Sequence, residues 1–364
     1  MIHDLLNIID PAIRTVHPKL GFNDMRPYII RNTLLYQYAY KVDCGMKALQ
    51  TICKRKNEQK IKKIRPVIDY LNENNIQYVL IKGLATIFYG YKSLGLRNSG
   101  DVDILVHPSQ ADALYETLIT QFQAKQMAGY IQSYKLLTQH YPPLIINDVC
   151  FELHFRLNHY CELVNSSCEF ILNNPQIVTY ESLTFKIPDI ECHFIILCHH
   201  LYRDEYLDQN YCLRRHSDVL YFWAACEKYI DIPRLLFLSN IMGYDFALFY
   251  ALRRINELYI YQNKSPIFDG KVFKILLRDD YIGQIDLIKC RQLLDNRTVS
   301  DWQTLINRID DKEVFLYPNR FIYNNQYGTI KDLICREFFL NAQIERHEKV
   351  LSDHNIAFRS DAMV

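Results

Sequence analysis

The sequence predicts a protein of mixed class, α/β or α+β, with its strands gathered in one middle region between two helical ones. Three observations lead there. Glycine and proline are scarce, 11 and 12 among 364 residues, which favours helices joined by short connections. Two short apolar, β-branched runs, Gln77-Tyr78-Val79-Leu80-Ile81 and Val102-Asp103-Ile104-Leu105-Val106, read as buried strands. Pro143 to Ile146 and Val149 to Phe155 flank Asn147-Asp148, a pair that tolerates the left-handed turn of a tight hairpin.

The elements follow in order. Residues 1–75 read as helical: Leu34, Leu35, Tyr38 and Tyr40 begin one periodic segment, and a second helix spans about Met46 to Asn72 with a break at Pro66. Its middle, Lys54 to Lys63, is basic, and is either a solvated face or a patch that meets a polyanion. The first strand, to Ile81, passes through Lys82-Gly83 into a helix over Leu84 to Tyr91, and a polar loop covers 92–101. After the second strand, Pro108 opens a helix with Ser109 as N-cap, turning Leu114, Leu118 and Phe122 inward. From about residue 190 the period is helical again: Cys192 to Tyr206, Leu213 to Tyr229, Ile232 to Tyr261, Tyr281 to Asp295 and Thr329 to Ser352. The stretch Phe315 to Tyr323 is helical or extended. These shifts divide the chain at 1–75, 76–190 and 191–364, within the two or three domains its length allows.

Composition bounds the function. Hydrophobic residues at 49% and charged residues at 23% describe an ordinary globular protein. Twenty-seven tyrosines suit helix packing first and ligand stacking second. A net charge of +1 gives no whole-molecule basic field, so no extensive nucleic-acid surface is expected. Eleven scattered cysteines without a Cys-x-x-Cys pair point to free thiols in a reducing compartment. Asp4 and Asp10 interrupt the N-terminal apolar stretch, and no apolar run is long enough to span a bilayer. The expected location is the cytoplasm, with no membrane partner.

Asp101 and Asp103 carry the first chemical signal. Side chains two apart on a strand share a face, roughly 7 Å apart, so these carboxylates project together from a strand end. They repel unless a cation lies between them, and oxygen ligands on a rigid element suit Mg²⁺ or Mn²⁺. On the hairpin, Phe151, Leu153 and Phe155 alternate with Glu152 and His154. That polar face is either solvated or brings Glu152 to the aspartates, where three carboxylates could hold two metal ions roughly 4 Å apart for displacement at phosphorus. Lys82-Gly83 offers a point charge, a close backbone approach and a helix start behind it, a combination suited to phosphate. Arg214 or Arg215 with Asp218 reads either as an intrahelical ion pair or as an arginine reaching into the cleft. Cys192, Cys198, His199 and His200 are poorly spaced for zinc.

Lys82-Gly83, Arg97, Asp101-Val102-Asp103-Ile104-Leu105-Val106 and Glu152-Leu153-His154 together resemble a nucleotidyltransferase family of the polymerase-beta-type superfamily. The resemblance covers about 78–160 and extends more loosely to Leu213-Arg214-Arg215-His216-Ser217-Asp218-Val219, which looks like that family's Arg/Asp helix motif. Lys82-Gly83 stands where the superfamily usually has Gly-Ser. The resemblance implies an α+β class, with a mixed sheet flanked by helices, N-terminal helices and a C-terminal helical domain. It implies that Asp101, Asp103 and Glu152 are catalytic and bind Mg²⁺ or Mn²⁺, and that Lys82, Gly83, Arg97, His154 and Arg214 attend the nucleotide. The implied reaction moves NMP from an NTP to a hydroxyl or phosphate on a small molecule, a peptide or protein, or an RNA end, releasing pyrophosphate. The competing readings are an inactive binding protein of the same fold and a phosphotransferase that moves the γ-phosphate.

Overall fold

Two hydrophobic cores back onto opposite faces of one small sheet, and that arrangement places the site. The computed structural model describes residues 2–19, 22–31, 33–42, 47–127, 139–157, 165–207, 212–242, 244–262, 264–265 and 267–268. The helices expected at 281–295 and 329–352, and the segment 315–323, lie outside the described residues.

The sheet has five strands: β1 (Tyr78–Ile81), β2 (Val102–Val106), β3 (Lys125–Gln126), β4 (Leu144–Ile146) and β5 (Val149–His154). Their order is β1-β2-β5-β4-β3, and only the β2–β5 pair is parallel, so the sheet is mixed and the class α+β. Asn147 and Asp148 both have positive φ in the β4–β5 turn, as a two-residue hairpin requires. Strand alternation sorts the side chains. Tyr78, Leu80, Val102, Ile104, Phe151 and Leu153 join one core, while Val79, Ile81 and Leu105 join the other.

The first core is closed by α4 (Lys47–Glu73) and α6 (Pro108–Thr120). On α4, Asn57, Ile61, Ile64, Ile68 and Leu71 recur every three or four residues and are buried. That stripe runs past Pro66, which is exposed, so the helix is continuous where a break was expected. The N-cap of α6 is His107 rather than Ser109: its ring accepts from the Ser109 backbone N–H, and Pro108 takes the first helical position. A hairpin that the sequence reading missed, β6 (Gln176–Tyr180) with β7 (Leu183–Ile187), adds Leu183, Phe185 and Ile187 to this core.

The second core joins both ends of the described chain. α1 (Ile2–Ile9), α2 (Phe22–Arg31) and α3 (Leu35–Lys41) supply Ile8, Ile9, Met25, Ile29 and Tyr38. These pack with α8 (Ile190–Tyr202), α9 (Leu213–Cys226), α10 (Ile232–Ile241) and α11 (Asp245–Tyr261). The expected single helix over 232–261 is thus two helices. A further helix, α7 (Asn165–Asn173), also joins this core. Residues 1–75 therefore divide between the cores, with α4 on one and α1–α3 on the other.

The cores meet where α5 (Gly83–Thr86) runs into a π-helical turn, Ile87–Tyr91. Gly90 lies against α9: a Cβ there would come within 2.9 Å of the Phe222 backbone nitrogen. Among the described residues, no helix is long and apolar enough to cross a membrane.

Candidate active site

Strand register brings the acids together. Asp103 on β2 pairs directly with Glu152 on the parallel strand β5, and Ile81, which precedes Lys82, pairs with Asp103 from the other side. Asp103, Glu152 and His154 share the face turned away from the α4 core. Their ligand atoms all lie within 4.8 Å of one another, the one such metal-capable group among the described residues. Asp101, just before β2, lines the same cleft of about 350 Å³ with Lys82, Gly83, His140 and Glu152.

Two donors converge on one oxygen of Asp103. Lys82 Nζ donates to Oδ1 at 2.7 Å, and His154 Nε2 lies 2.9 Å from the same atom. With a carboxylate as acceptor, His154 Nε2 carries the proton. Its Nδ1 is buried with no hydrogen-bond partner among the described residues. Glu152 Oε2 lies 3.5 Å from His154 Nε2 and 3.9 Å from His140 Nε2. Burial pushes the Asp103 carboxyl up, but the Lys82 charge and the bond from His154 outweigh it and hold the carboxyl well below the usual range. Asp101 shifts the other way: the Asp103 charge, then burial, then Glu152 raise it. Burial and the charge of His154 lower His140 to about 4, so its ring is neutral at pH 7.

This donor set fits a divalent metal. Carboxylate oxygens suit Mg²⁺ or Mn²⁺, and a divalent charge between Asp101, Asp103 and Glu152 would relieve the repulsion that raises Asp101. The group that converges most tightly contains His154, with Asp101 beside it, whereas the expected triad was Asp101, Asp103 and Glu152.

The opposite wall comes from α8, the π-helical turn that extends it (Arg203–Leu207) and α9. It carries His200, Arg203, Arg214 and Arg215. Arg215 Nε donates to Asp204 Oδ2 at 2.6 Å. Arg214 is half-buried, and its Nε has no hydrogen-bond partner among the described residues. Burial and the neighbouring Arg97 and Arg215 charges lower its pKa, the state of a cation short of an anion.

Arg97 holds a different place from the one expected of it. It is buried, and its guanidinium forms a two-point pair with Asp218: Nε to Oδ1 at 2.7 Å and Nη2 to Oδ2 at 2.8 Å. Its Nη1 donates to the Gly83 carbonyl at 3.3 Å. Although Arg97 lines the cleft, its donors tie the Lys82-Gly83 turn to α9. Asp218 consequently pairs with Arg97 rather than with an arginine of its own helix. At Gly83 a Cβ would come within 2.6 Å of Ser99 Oγ, so the turn closes tightly on the loop that carries Asp101. Lys82 itself has φ 53°, an uncommon conformation for a residue with a Cβ.

Several residues around the site were missed in the sequence. Asn57 Nδ2 donates to the carbonyls of Leu94 and Arg97, and its Oδ1 accepts from Ser99 N. Lys60 Nζ donates to the carbonyls of Ser99 and Gly100. One lysine of the basic run is therefore a loop clamp. An asparagine on an apolar helical stripe was the readable signal for Asn57; nothing local marks Gln139 or His140, which reach the cleft through the fold. The Cys192, Cys198, His199 and His200 group does not converge as a metal site: burial raises both thiols, His199 packs on Tyr244 at 4.6 Å between ring centres, and His200 Nε2 faces Asp204 at 3.5 Å.

No curated protein matches the sequence. Among solved structures, the chain is similar to the antibiotic-resistance factor ANT(2'')-Ia, at 10% identity and TM-score 0.35, over 54% of this chain and 96% of that one. It is also similar to an antigenic nucleotidyltransferase-like protein from Paracoccidioides brasiliensis, at 14% identity and TM-score 0.37, over 60% of this chain and 93% of that one. The family model described as uncharacterised nucleotidyltransferase matches residues 30–259, more than half of the chain and all of the site. By that match, the chain belongs to this family of uncharacterised nucleotidyltransferases.

Proposed function

We infer that the cleft transfers a nucleotidyl group from an NTP to an acceptor hydroxyl or phosphate and releases pyrophosphate. The observation that carries this reading is the register of Asp103 against Glu152, with Asp101 and His154 beside them, facing an arginine wall across one cleft. Asp101, Asp103 and Glu152 would hold Mg²⁺ or Mn²⁺, with His154 against them; a bound divalent ion supplies charge neutralisation at the phosphates and at the attacking oxygen.

The chain's own residues supply position and charge. Arg214 meets the phosphates, since its guanidinium faces the cleft with an unsatisfied buried nitrogen. Gly83 lets the backbone lie close to them. An acceptor oxygen attacks the α-phosphorus, the bond to the α–β bridging oxygen breaks, and pyrophosphate leaves. The acceptor's proton passes to Glu152 Oε2, which faces the neutral His140 ring at 3.9 Å. His154 fixes Asp103 through Oδ1. The acceptor is a small molecule, a peptide or protein, or an RNA end.

The test is incubation of the full chain with each α-labelled NTP, Mg²⁺ and a cell extract, measuring labelled product and pyrophosphate. Labelled acceptor with stoichiometric pyrophosphate, abolished in Glu152→Gln, supports the reading. Release of nucleoside diphosphate instead would identify a γ-phosphotransferase. One observation favours a second reading: Lys82 and His154 already neutralise Asp103, as a metal-free binding protein of this fold would need. No thermal shift with Mg²⁺ and any of the NTPs would favour that protein.

A further inference from the structure

The acidic floor of the cleft already carries a cation of the chain's own. Lys82 Nζ lies 2.7 Å from Asp103 Oδ1 and 3.4 Å from His154 Nε2, and the Lys82 side chain is only 13% exposed. Asp103 belongs to the one group of side chains among the described residues that converges as a metal site. An ammonium and a divalent ion cannot share that oxygen, because like charges at contact distance repel strongly where water is scarce. A lysine is therefore seated where the proposed transfer chemistry needs a metal.

We propose that Lys82 is the resident counter-ion of the acidic floor, and that it moves from Asp103 to the phosphates of an incoming nucleotide when a divalent ion takes the carboxylates. This rests on the reading of the cleft as a metal-dependent nucleotidyl-transfer site. The surroundings of Lys82 allow such an exchange. Its backbone is held: Thr86 Oγ1 donates to the Lys82 carbonyl at 2.6 Å, and Arg97 Nη1 donates to the Gly83 carbonyl. Its ammonium ends a flexible four-carbon stem and can change partners without moving that backbone. His154 stays on Asp103 by a separate contact, so the carboxylate keeps one hydrogen bond through the exchange. Arg214 lines the same cleft, so the anion that receives Lys82 meets a second cation there.

The exchange has a thermodynamic signature. A metal ion binding alone must displace Lys82 and leave it without an anion. A nucleotide gives the ammonium a second partner. Metal and nucleotide thus favour each other's binding through Lys82. An arginine would be a poorer counter-ion for this purpose, since its planar fork holds a carboxylate at two points, as Arg97 holds Asp218.

The deciding measurement is Mn²⁺ affinity of the full chain without nucleotide, read from the free-ion electron paramagnetic resonance signal. Lys82→Met should bind Mn²⁺ about tenfold or more tightly than wild type, because a repelling charge is gone. Lys82→Arg, which keeps the charge, should not tighten binding. Wild type that binds Mn²⁺, with Lys82→Met no tighter, overturns the counter-ion role while leaving the metal site standing. Folded wild type and folded Lys82→Met that both fail to bind Mn²⁺ overturn the metal-dependent reading itself. If Lys82→Met melts without metal, Mn²⁺ must restore its fold at concentrations below the wild-type dissociation constant; failure to do so also overturns the role.

Discussion

At Asp103 Oδ1 two positively polarised nitrogens meet one oxygen, and the residues around it sort by what they touch. Glu152→Gln and Asp103→Asn should each lower transfer by about a hundredfold or more, the scale seen when a preorganised charge is removed. Unchanged circular dichroism alongside that loss is expected; a loss of fold instead would assign the acids a structural role. The two arginines should separate. Arg214→Ala should raise KM for the NTP and leave the melting temperature nearly unchanged. Arg97→Ala should destabilise by about 3–5 kcal/mol, because it strands the buried Asp218 carboxylate. The same pair sets a pH dependence. Burial raises the Asp218 carboxyl, but the Arg97 charge and hydrogen bonds win and hold it below the ordinary aspartate range. Its stabilising contribution is complete above the unfolded-chain value of about 4. It is lost progressively as pH falls from there through the lower, folded-state value. Acid titration of the melting temperature checks this, and Asp218→Asn should flatten the part of the slope that belongs to this pair.

Among the elements, the loop 92–101 shows how an irregular segment is made rigid. It has no ladder of its own, so α4 supplies the partners: Asn57 bonds Leu94, Arg97 and Ser99, and Lys60 bonds Ser99 and Gly100. Asn57→Ala would leave those buried backbone groups unpaired at a cost of about 1–3 kcal/mol. Amide hydrogen exchange over 94–101 should then accelerate more than over β2. Elements set by local pattern were legible in the sequence. Val102 to Val106 is β-branched and fully buried, and Asn147-Asp148 marks its own turn. Elements whose evidence is half-surface were missed. β6 is mostly exposed and only β7 alternates cleanly, with Leu183, Phe185 and Ile187 inward. The grouping of Asp101 with Asp103, and of Glu152 with His154, was legible because two-residue spacing fixes a shared face. The partners of Arg97 were not. Asp218 lies 121 residues further on, and no spacing rule links them. Similarly, the i, i+3 and i, i+4 spacings offer Arg215 or Arg214 as a helical partner for Asp218, since proximity on one helix is all that a sequence displays.

For the whole molecule, the site joins two bodies of packing. The acids stand on a sheet backed by α4 and α6, and the arginine wall stands on helices that share a core with α1–α3. Specific contacts cross this seam: the Arg97–Asp218 pair, the bond from Tyr91 Oη to Asp218 Oδ1 at 3.0 Å, and the close fit of Gly90 on Phe222.

Gly90 makes the point most sharply. It lies outside the cleft lining, yet its bare backbone lets the helix that carries Arg214 and Asp218 come to rest where it does. A methyl group there cannot be absorbed by a flexible side chain, because the atoms it would strike are backbone. Gly90→Ala should lever α9 outward and widen the gap between the acids and the arginines. A misplacement of about 1 Å can cost about a hundredfold in rate. In that sense the missing side chain at position 90 is the spacer that calibrates the jaw width of the cleft.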